Sequence, residues 1–232
     1  MKRVRERDSE EDEDDKYKTM KKICIIWASS WIGLALVEHY RNIGMIVDVY
    51  MRKTADLSLE EDIMRISHEI SESDYDVVIF SAWVWYYKKF SSLTAEQVSE
   101  QMLVNTLAPL QILRSLPKST KFVYLSSIMR FIPAKNMSVY AAMKLATSQA
   151  LQAIRYENKD REILSVDVWA VKTPMHIKAG MKKMVWKEIG IVIPKLVRVI
   201  ETKQWSVTLF WDWWIMIYIV FPVYRIFLKF TR

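Results

Sequence analysis

The chain has very little glycine. Only four of its 232 residues are glycine, whereas ten are tryptophan. An average soluble protein contains about 7% glycine, which would be about sixteen residues at this length. Glycine supplies tight turns and close backbone approaches. A fold that depends on such turns is therefore short of the residue that usually makes them.

Cysteine and histidine are also scarce. The one cysteine, Cys24, lies in an apolar run, so a disulfide framework within the chain is excluded and a reducing cytoplasm is the expected location. The three histidines, His39, His68 and His176, are scattered and lie near no cysteine. Zinc and iron sites need clustered ligands, so no metal site is expected.

Charge is abundant, but the basic residues are spread along the sequence. The net charge is +7, and this distribution is typical of solvated helix faces, so no nucleic-acid partner is expected. Residues 1–19 form a charge run with almost no apolar content, which predicts a disordered extension without the apolar centre of a secretory signal. The predicted parts are this extension, a folded domain over 20–205 and an apolar tail over 206–232.

Short apolar runs alternate with segments of helical spacing. The runs are typical of buried strands and the spacing of helices, so we predict an α/β fold with a doubly wound, Rossmann-like parallel sheet in a single domain. Residues 52–75 leave room for only one helix, which predicts a reduced third-strand region. The predicted strands are 23–26, 45–51, 76–80, 121–125 and 163–168, and the predicted helices are 32–40, 57–70, 94–116 and 139–156.

Two constellations lie where predicted strands end. Residues 27–33 join the first strand to the first helix, where a doubly wound fold binds a dinucleotide. Ser127 ends a later strand, and Tyr140 and Lys144 share one face of the next helix. A nearby ammonium lowers the pKa of a phenol, so that tyrosine can act as general acid or base near neutral pH. The serine hydroxyl can hold a carbonyl oxygen.

These segments resemble motifs of the short-chain dehydrogenase/reductase family, in its compact single-domain branch. The resemblance runs over residues 22–177 and implies an NAD(P)-dependent oxidoreductase that interconverts a carbonyl and an alcohol. Four segments carry it: Trp27–Gly33 resembles G-A-S-S-G-I-G, Ser81–Trp85 resembles N-A-G-x-G, Ser127 with Tyr140–Lys144 resembles the serine and Y-x-x-x-K, and Val168–Thr173 resembles P-G-x-V-x-T.

The resemblance also implies a role for each site residue. Tyr140 transfers the proton, Ser127 positions the substrate oxygen, and Asn105 holds a water in the proton relay. Lys144 lowers the pKa of Tyr140 and binds the nicotinamide ribose. A small-molecule carbonyl or alcohol substrate and a homo-oligomer are expected. The implied cofactor contacts are Trp27, Ser29, Ser30, Trp31, Ile32, Gly33, Arg52, Asp56, Leu57, Ala82, Trp83, Tyr140, Lys144, Val171 and Thr173.

The end of the second strand indicates which dinucleotide is used. Val49–Lys53 ends in Arg52 and Lys53, with no acidic residue, and Asp48 comes too early. A 2′-phosphate needs cations at this position, whereas a free ribose diol prefers a carboxylate. We therefore expect NADP in preference to NAD.

Tryptophan stands at five positions where the family pattern has glycine: 27, 31, 83, 85 and 169. One hypothesis is a cofactor-free pseudoenzyme whose loops are plugged by indoles and which serves as a binding partner. Another is that most of these tryptophans are glycine in the native protein, because some bacterial lineages read UGA as glycine and other codes read it as tryptophan. Intact Ser127, Tyr140 and Lys144 favour the second hypothesis.

The tail is apolar over residues 215–224 and is followed by basic residues. It is too short to span a membrane. Contact of residues 211–232 with a membrane surface is one interpretation, and a subunit interface or a lid against the core is the favoured alternative.

Overall fold

The computed structural model describes most of the chain between residues 22 and 209. The described residues are 22–28, 31–132, 135–168, 171, 187–202 and 206–209. The predicted extension and the apolar stretch of the tail lie outside them. So do three implied cofactor contacts, Ser29, Ser30 and Thr173, and the motif residue Trp169.

The described strands form one parallel sheet in the order β2-β1-β3-β4-β5-β6. This confirms the predicted doubly wound architecture. β6 joins the sheet although it lies in the segment predicted as tail. The strands are β1 (Lys22–Ile26), β2 (Ile46–Tyr50), β3 (Val77–Phe80), β4 (Lys121–Ser127), β5 (Ile163–Val168) and β6 (Ser206–Thr208).

Helices cover both faces of the sheet, because its strands are apolar on both sides. In β1, Ile23 and Ile25 enter one core cluster and Cys24 and Ile26 enter the other. None of the described helices is long and apolar enough to cross a membrane. The helices are α1 (Trp31–Asn42), α2 (Glu60–Ser71), α3 (Ala95–Met102), α4 (Ala108–Ser115), α5 (Ser138–Glu157) and α6 (Ile189–Ile200).

The third-strand region is reduced, as predicted. Residues 51–59 form turns, with no strand in this stretch, and α2 follows directly. β2 is therefore the edge of the described sheet. The winding of the chain reverses at β1, which lies between β2 and β3. Doubly wound sheets bind ligands in the crevice outside the carboxyl ends of strands at such a reversal.

The long helix predicted over 94–116 is interrupted. Its start is as predicted: Thr94 and Gln97 form a capping box, in which each side chain bonds the other's backbone N–H. A π-helical turn, Leu103–Leu107, then separates α3 from α4. Such turns widen the helix locally and often occur at functional sites. This one carries Asn105.

Candidate active site

The structure brings Ser127, Tyr140 and Lys144 together at the carboxyl end of β4. Ser127 is the last residue of this strand, and the other two lie one turn apart near the start of α5. Burial raises the pKa of Tyr140, and the Ser127 side chain opposes this rise as a hydrogen-bond partner of the phenol. The Lys144 ammonium lies 5.9 Å from the centroid of the Tyr140 ring. The three groups can therefore act on one bound molecule.

Burial controls the electrostatics of the pair. It raises the pKa of Tyr140 to about 12, and the bond from Ser127 only partly offsets this. It lowers the pKa of Lys144 to about 7, against the opposing effect of the Asp167 carboxylate. Lys144 Nζ donates to the Leu125 carbonyl at 3.0 Å. Burial has the largest effect on the pKa of Tyr140, and the lowering of that pKa by Lys144 stays a prediction.

Two tryptophans cause much of this burial. The ring centroids of Trp83 and Trp85 each lie 6.2 Å from that of Tyr140, and only 7% of Tyr140 is exposed. Both tryptophans stand where the family pattern has glycine. The indoles therefore pack beside the Tyr140 phenol and limit its exposure.

The pKa of Lys144 leads to a stability prediction. The ammonium is protonated below pH 10.5 in the unfolded chain but is neutral above about pH 7 in the folded one. Between these values the unfolded state binds more protons, so this group makes the unfolding free energy rise with pH. We expect urea unfolding at pH 7.5 and 9.5 to show a larger rise, or a smaller fall, for the wild type than for Lys144→Met. Equal pH dependence in both proteins would contradict the burial of this amine.

Asn105 holds the loop that carries Trp83 and Trp85 through two hydrogen bonds. Its side chain accepts from the Val84 N–H at 3.0 Å and donates to the Val84 carbonyl at 2.6 Å. Its own carbonyl accepts from the Tyr124 hydroxyl at 3.2 Å and from the Thr147 hydroxyl at 2.8 Å. The structure thus supports a positioning role, and the relay water stays a prediction.

The backbone after β1 adopts a conformation that favours glycine. Trp27 has a φ of +58°, in the left-handed region that costs a bulky L-residue about 1–2 kcal/mol. Its N–H donates to the Tyr50 carbonyl at 2.7 Å, and its carbonyl accepts from the Ser81 hydroxyl at 3.2 Å. Within the described residues the other non-glycine residue with positive φ is Asn136, a type that tolerates it.

The Trp27 indole lies at the predicted adenosine end of the cofactor site. Its Nε1 donates to the Ala55 carbonyl at 2.8 Å, and the Arg52 guanidinium lies 5.1 Å from its ring. Only 6% of Trp27 is exposed, compared with 54% of Trp31 at the start of α1. Of these two tryptophans, Trp27 is therefore the one that packs against the segment after β2, through Ala55 and Arg52.

Other predicted cofactor contacts are already engaged within the chain. Asp56 accepts from the N–H and the hydroxyl of Ser58, at 3.0 and 2.7 Å. The side chains of Leu57 and Ala82 are fully buried in the core. Arg52 forms an ion pair with Glu100, at 3.1 Å, which the sequence pattern does not indicate.

The three remaining predicted cofactor contacts that the structure describes are buried or packed within the chain. Gly33 is buried inside α1, and Ile32 is partly buried against the core. Val171 is 3% exposed and forms an isolated parallel β-bridge with Lys187.

A buried ion pair links the segment after Ser127 to β5. Arg130 Nε and Nη2 donate to the two carboxylate oxygens of Asp167 at 2.7 and 2.8 Å, and Asp167 is fully buried. Sequence reasoning missed this pair. The available signal was a single acid inside an apolar strand, since a buried carboxylate requires a partner.

The described architecture is a doubly wound α/β fold with a parallel sheet. Neither a protein-family model nor a curated protein matches the sequence, but many solved structures match the fold. A short-chain dehydrogenase from Sphingobium yanoikuyae in complex with NADPH has a TM-score of 0.72 and 18% identity, covering 81% of this chain and 87% of that one.

Two further structures agree with this result. A bulky-bulky ketone specific alcohol dehydrogenase from Comamonas testosteroni has a TM-score of 0.71 and 17% identity, covering 82% of this chain and 86% of that one. An oxidoreductase from E. coli has a TM-score of 0.69 and 18% identity, covering 81% and 93%. The chain therefore has the fold of the short-chain dehydrogenases, as the sequence motifs indicate.

Proposed function

We propose that this chain is a short-chain dehydrogenase/reductase that interconverts a carbonyl and an alcohol with a nicotinamide dinucleotide, NADP in preference to NAD. The observation that carries the proposal is the convergence of Ser127, Tyr140 and Lys144 at the carboxyl end of β4, in this fold. The solved neighbour from Sphingobium yanoikuyae holds NADPH, which supports the choice of cofactor.

The chain's own residues would manage the proton and the substrate oxygen. The Ser127 hydroxyl donates to the carbonyl oxygen and holds it beside the phenol. When bound, the dinucleotide would supply the hydride to the carbonyl carbon. Tyr140 gives its proton to the oxygen as the alcohol forms, and takes it back in the reverse direction. Lys144 supplies positive charge beneath the phenolate when it is protonated, and its pKa of about 7 makes that charge sensitive to pH.

The adenosine end of the site does not fit a dinucleotide while Trp27 lies in it. A planar bicyclic ring is already enclosed there, between the Ala55 carbonyl and the Arg52 guanidinium. The left-handed backbone at residue 27 is one that glycine adopts without strain. The site would therefore accommodate the nucleotide if residue 27 had no side chain.

The proposal is tested by assaying NADPH consumption with a panel of ketones and aldehydes, using the chain that carries Trp27→Gly. Carbonyl reduction that is lost when Ser127 is replaced supports the proposal. Tight NADPH binding with no reduction of any carbonyl in the panel would argue for a nucleotide-binding protein instead.

The buried Trp27 indole favours a second candidate, a cofactor-free binding protein of the same fold. In that case neither the unsubstituted chain nor the Trp27→Gly variant would bind NADPH. Contact of the tail with a membrane surface stays a separate hypothesis, which co-sedimentation with liposomes tests.

Cofactor preference leads to a prediction at the end of β2. In the Trp27→Gly background, replacing Arg52 and Lys53 together with alanine should reduce the preference for NADPH over NADH by about tenfold. The reason is that charge-assisted bonds to the 2′-phosphate are lost. Dissociation constants for both nucleotides, measured by calorimetry, check this. Tighter binding of NADH than of NADPH by the Trp27→Gly parent would contradict the predicted preference.

A further inference from the structure

The Arg52 guanidinium has two partners at the adenosine end of the site. One face lies over the Trp27 indole, and one edge donates from Nη2 to Glu100 Oε1 at 3.1 Å. The Arg52 side chain is 56% exposed, whereas that of Glu100 is 18% exposed. The carboxylate is therefore the better-held member of the pair, and it fixes the direction in which the guanidinium points.

Tyr86 anchors the carboxylate from the other side. Its hydroxyl donates to Glu100 Oε2, and this bond is the largest cause that raises the pKa of Tyr86 to about 12. The phenol therefore keeps its proton at physiological pH and continues to donate. Each Glu100 oxygen thus has its own donor, so the carboxylate lies in a defined position between Tyr86 and Arg52.

We infer that Glu100 determines how strongly this site selects a 2′-phosphorylated nucleotide, because its carboxylate occupies the guanidinium edge that the phosphate would use. The inference rests on the proposed function. A 2′-phosphate that approaches Arg52 must displace a negative group or share the cation with it. Like charges held at short distance repel in a partly buried site. A ribose with a free 2′-hydroxyl meets no such repulsion, and its hydroxyl can donate to a carboxylate.

The usual sequence criterion for cofactor choice does not detect Glu100. Cofactor choice is read from residues at the end of β2, which here are cationic. Glu100 lies on α3, 48 positions from Arg52 in the chain. The fold brings it there because the turns at residues 51–59 replace a strand and place the β2–α2 connection beside α3. Ser58 and Glu100 accordingly line the same open pocket.

The test uses nucleotide fragments that carry no nicotinamide, so its readout is binding and not activity. In the Trp27→Gly chain, dissociation constants are measured for 2′,5′-ADP and for 5′-AMP, with and without Glu100→Gln. We expect Glu100→Gln to raise the preference for 2′,5′-ADP by about fivefold or more. The change should come from tighter binding of 2′,5′-ADP, since 5′-AMP lacks the phosphate that the carboxylate repels.

Two matched variants separate this role from general effects of charge and packing. Glu96 lies one turn earlier in the same pocket and hydrogen-bonds Thr94 instead, so Glu96→Gln should leave the preference within about twofold. Tyr86→Phe removes the anchor and keeps the carboxylate, so it should not reproduce the gain. Melting curves of each variant show that it is folded.

The outcomes distinguish the inference from the proposed function. If both fragments bind and Glu100→Gln leaves their ratio unchanged, or if Glu96→Gln changes it equally, the inference fails and the oxidoreductase proposal stands. If neither fragment binds the folded Trp27→Gly chain, there is no adenosine site for Glu100 to tune. The inference and the proposed function then fail together.

Discussion

Replacing Tyr140 with phenylalanine, in a chain that carries Trp27→Gly, is expected to lower carbonyl reduction by about 10²- to 10⁴-fold. The substitution deletes the hydroxyl that is proposed to deliver the proton and keeps the ring that packs against both Trp83 and Trp85. Binding of NADPH and the melting temperature should therefore change little. Initial rates, nucleotide titration and thermal unfolding of the two proteins check the three statements.

Tyr156→Phe provides a control on the same helix. Tyr156 is 65% exposed near the end of α5, away from Ser127, and its loss should leave the rate within about twofold, as is usual for exposed positions. If Tyr140→Phe retains the rate of its parent, Tyr140 is not the proton donor. If Tyr156→Phe loses as much activity as Tyr140→Phe, the effect is not specific to the site.

Replacing Trp27 with glycine is expected to increase NADPH affinity by tenfold or more, because the indole is removed from the adenosine end. The substitution also has opposing effects on stability. Loss of a large buried side chain usually costs about 3–5 kcal/mol, and relief of left-handed strain returns about 1–2 kcal/mol. Without NADPH, the Trp27→Gly variant should therefore be less stable than the unsubstituted chain. Saturating NADPH should restore stability, by about 2.7 kcal/mol at one hundred times the dissociation constant.

Trp31→Gly is the matched comparison for this prediction. The Trp31 side chain is 54% exposed at the start of α1, so its removal alone should leave NADPH binding as weak as in the parent chain. Thermal unfolding with and without NADPH measures both variants. A gain from Trp31→Gly alone, with none from Trp27→Gly, would show that the blocked part of the site is the pyrophosphate loop.

Most of the fold can be predicted from the sequence because its signals are local. Continuous apolar runs such as residues 23–26 identify strands buried on both faces, and the Thr94–Gln97 pair marks the start of α3. The π-helical turn is different. It carries Asn105, whose side chain bonds the Val84 backbone, 21 positions away. No local pattern encodes such a contact, so an unbroken helix is the natural expectation.

The sequence predicts which residues form the site but not the directions of their pKa shifts. The spacing of Tyr140 and Lys144 places them on one face, yet the directions of their pKa shifts depend on their burial in the folded chain. The ion pairs of Arg52 with Glu100 and of Arg130 with Asp167 join distant segments. The direction of the Trp27 indole likewise follows from a backbone held by Tyr50 and Ser81.

The choice between an enzyme and a cofactor-free binding protein depends on the residue that the native protein carries at position 27. A left-handed backbone, a filled adenosine end and an intact Ser127–Tyr140–Lys144 set are together explained if that residue is glycine and the tryptophan arises from a UGA codon. The most direct measurement is the codons at 27, 31, 83, 85 and 169, read together with the mass of the protein isolated from its source. We predict UGA codons and a mass that corresponds to glycine at these positions. UGG codons, or a native mass that includes the tryptophans, would contradict the account and favour the binding protein.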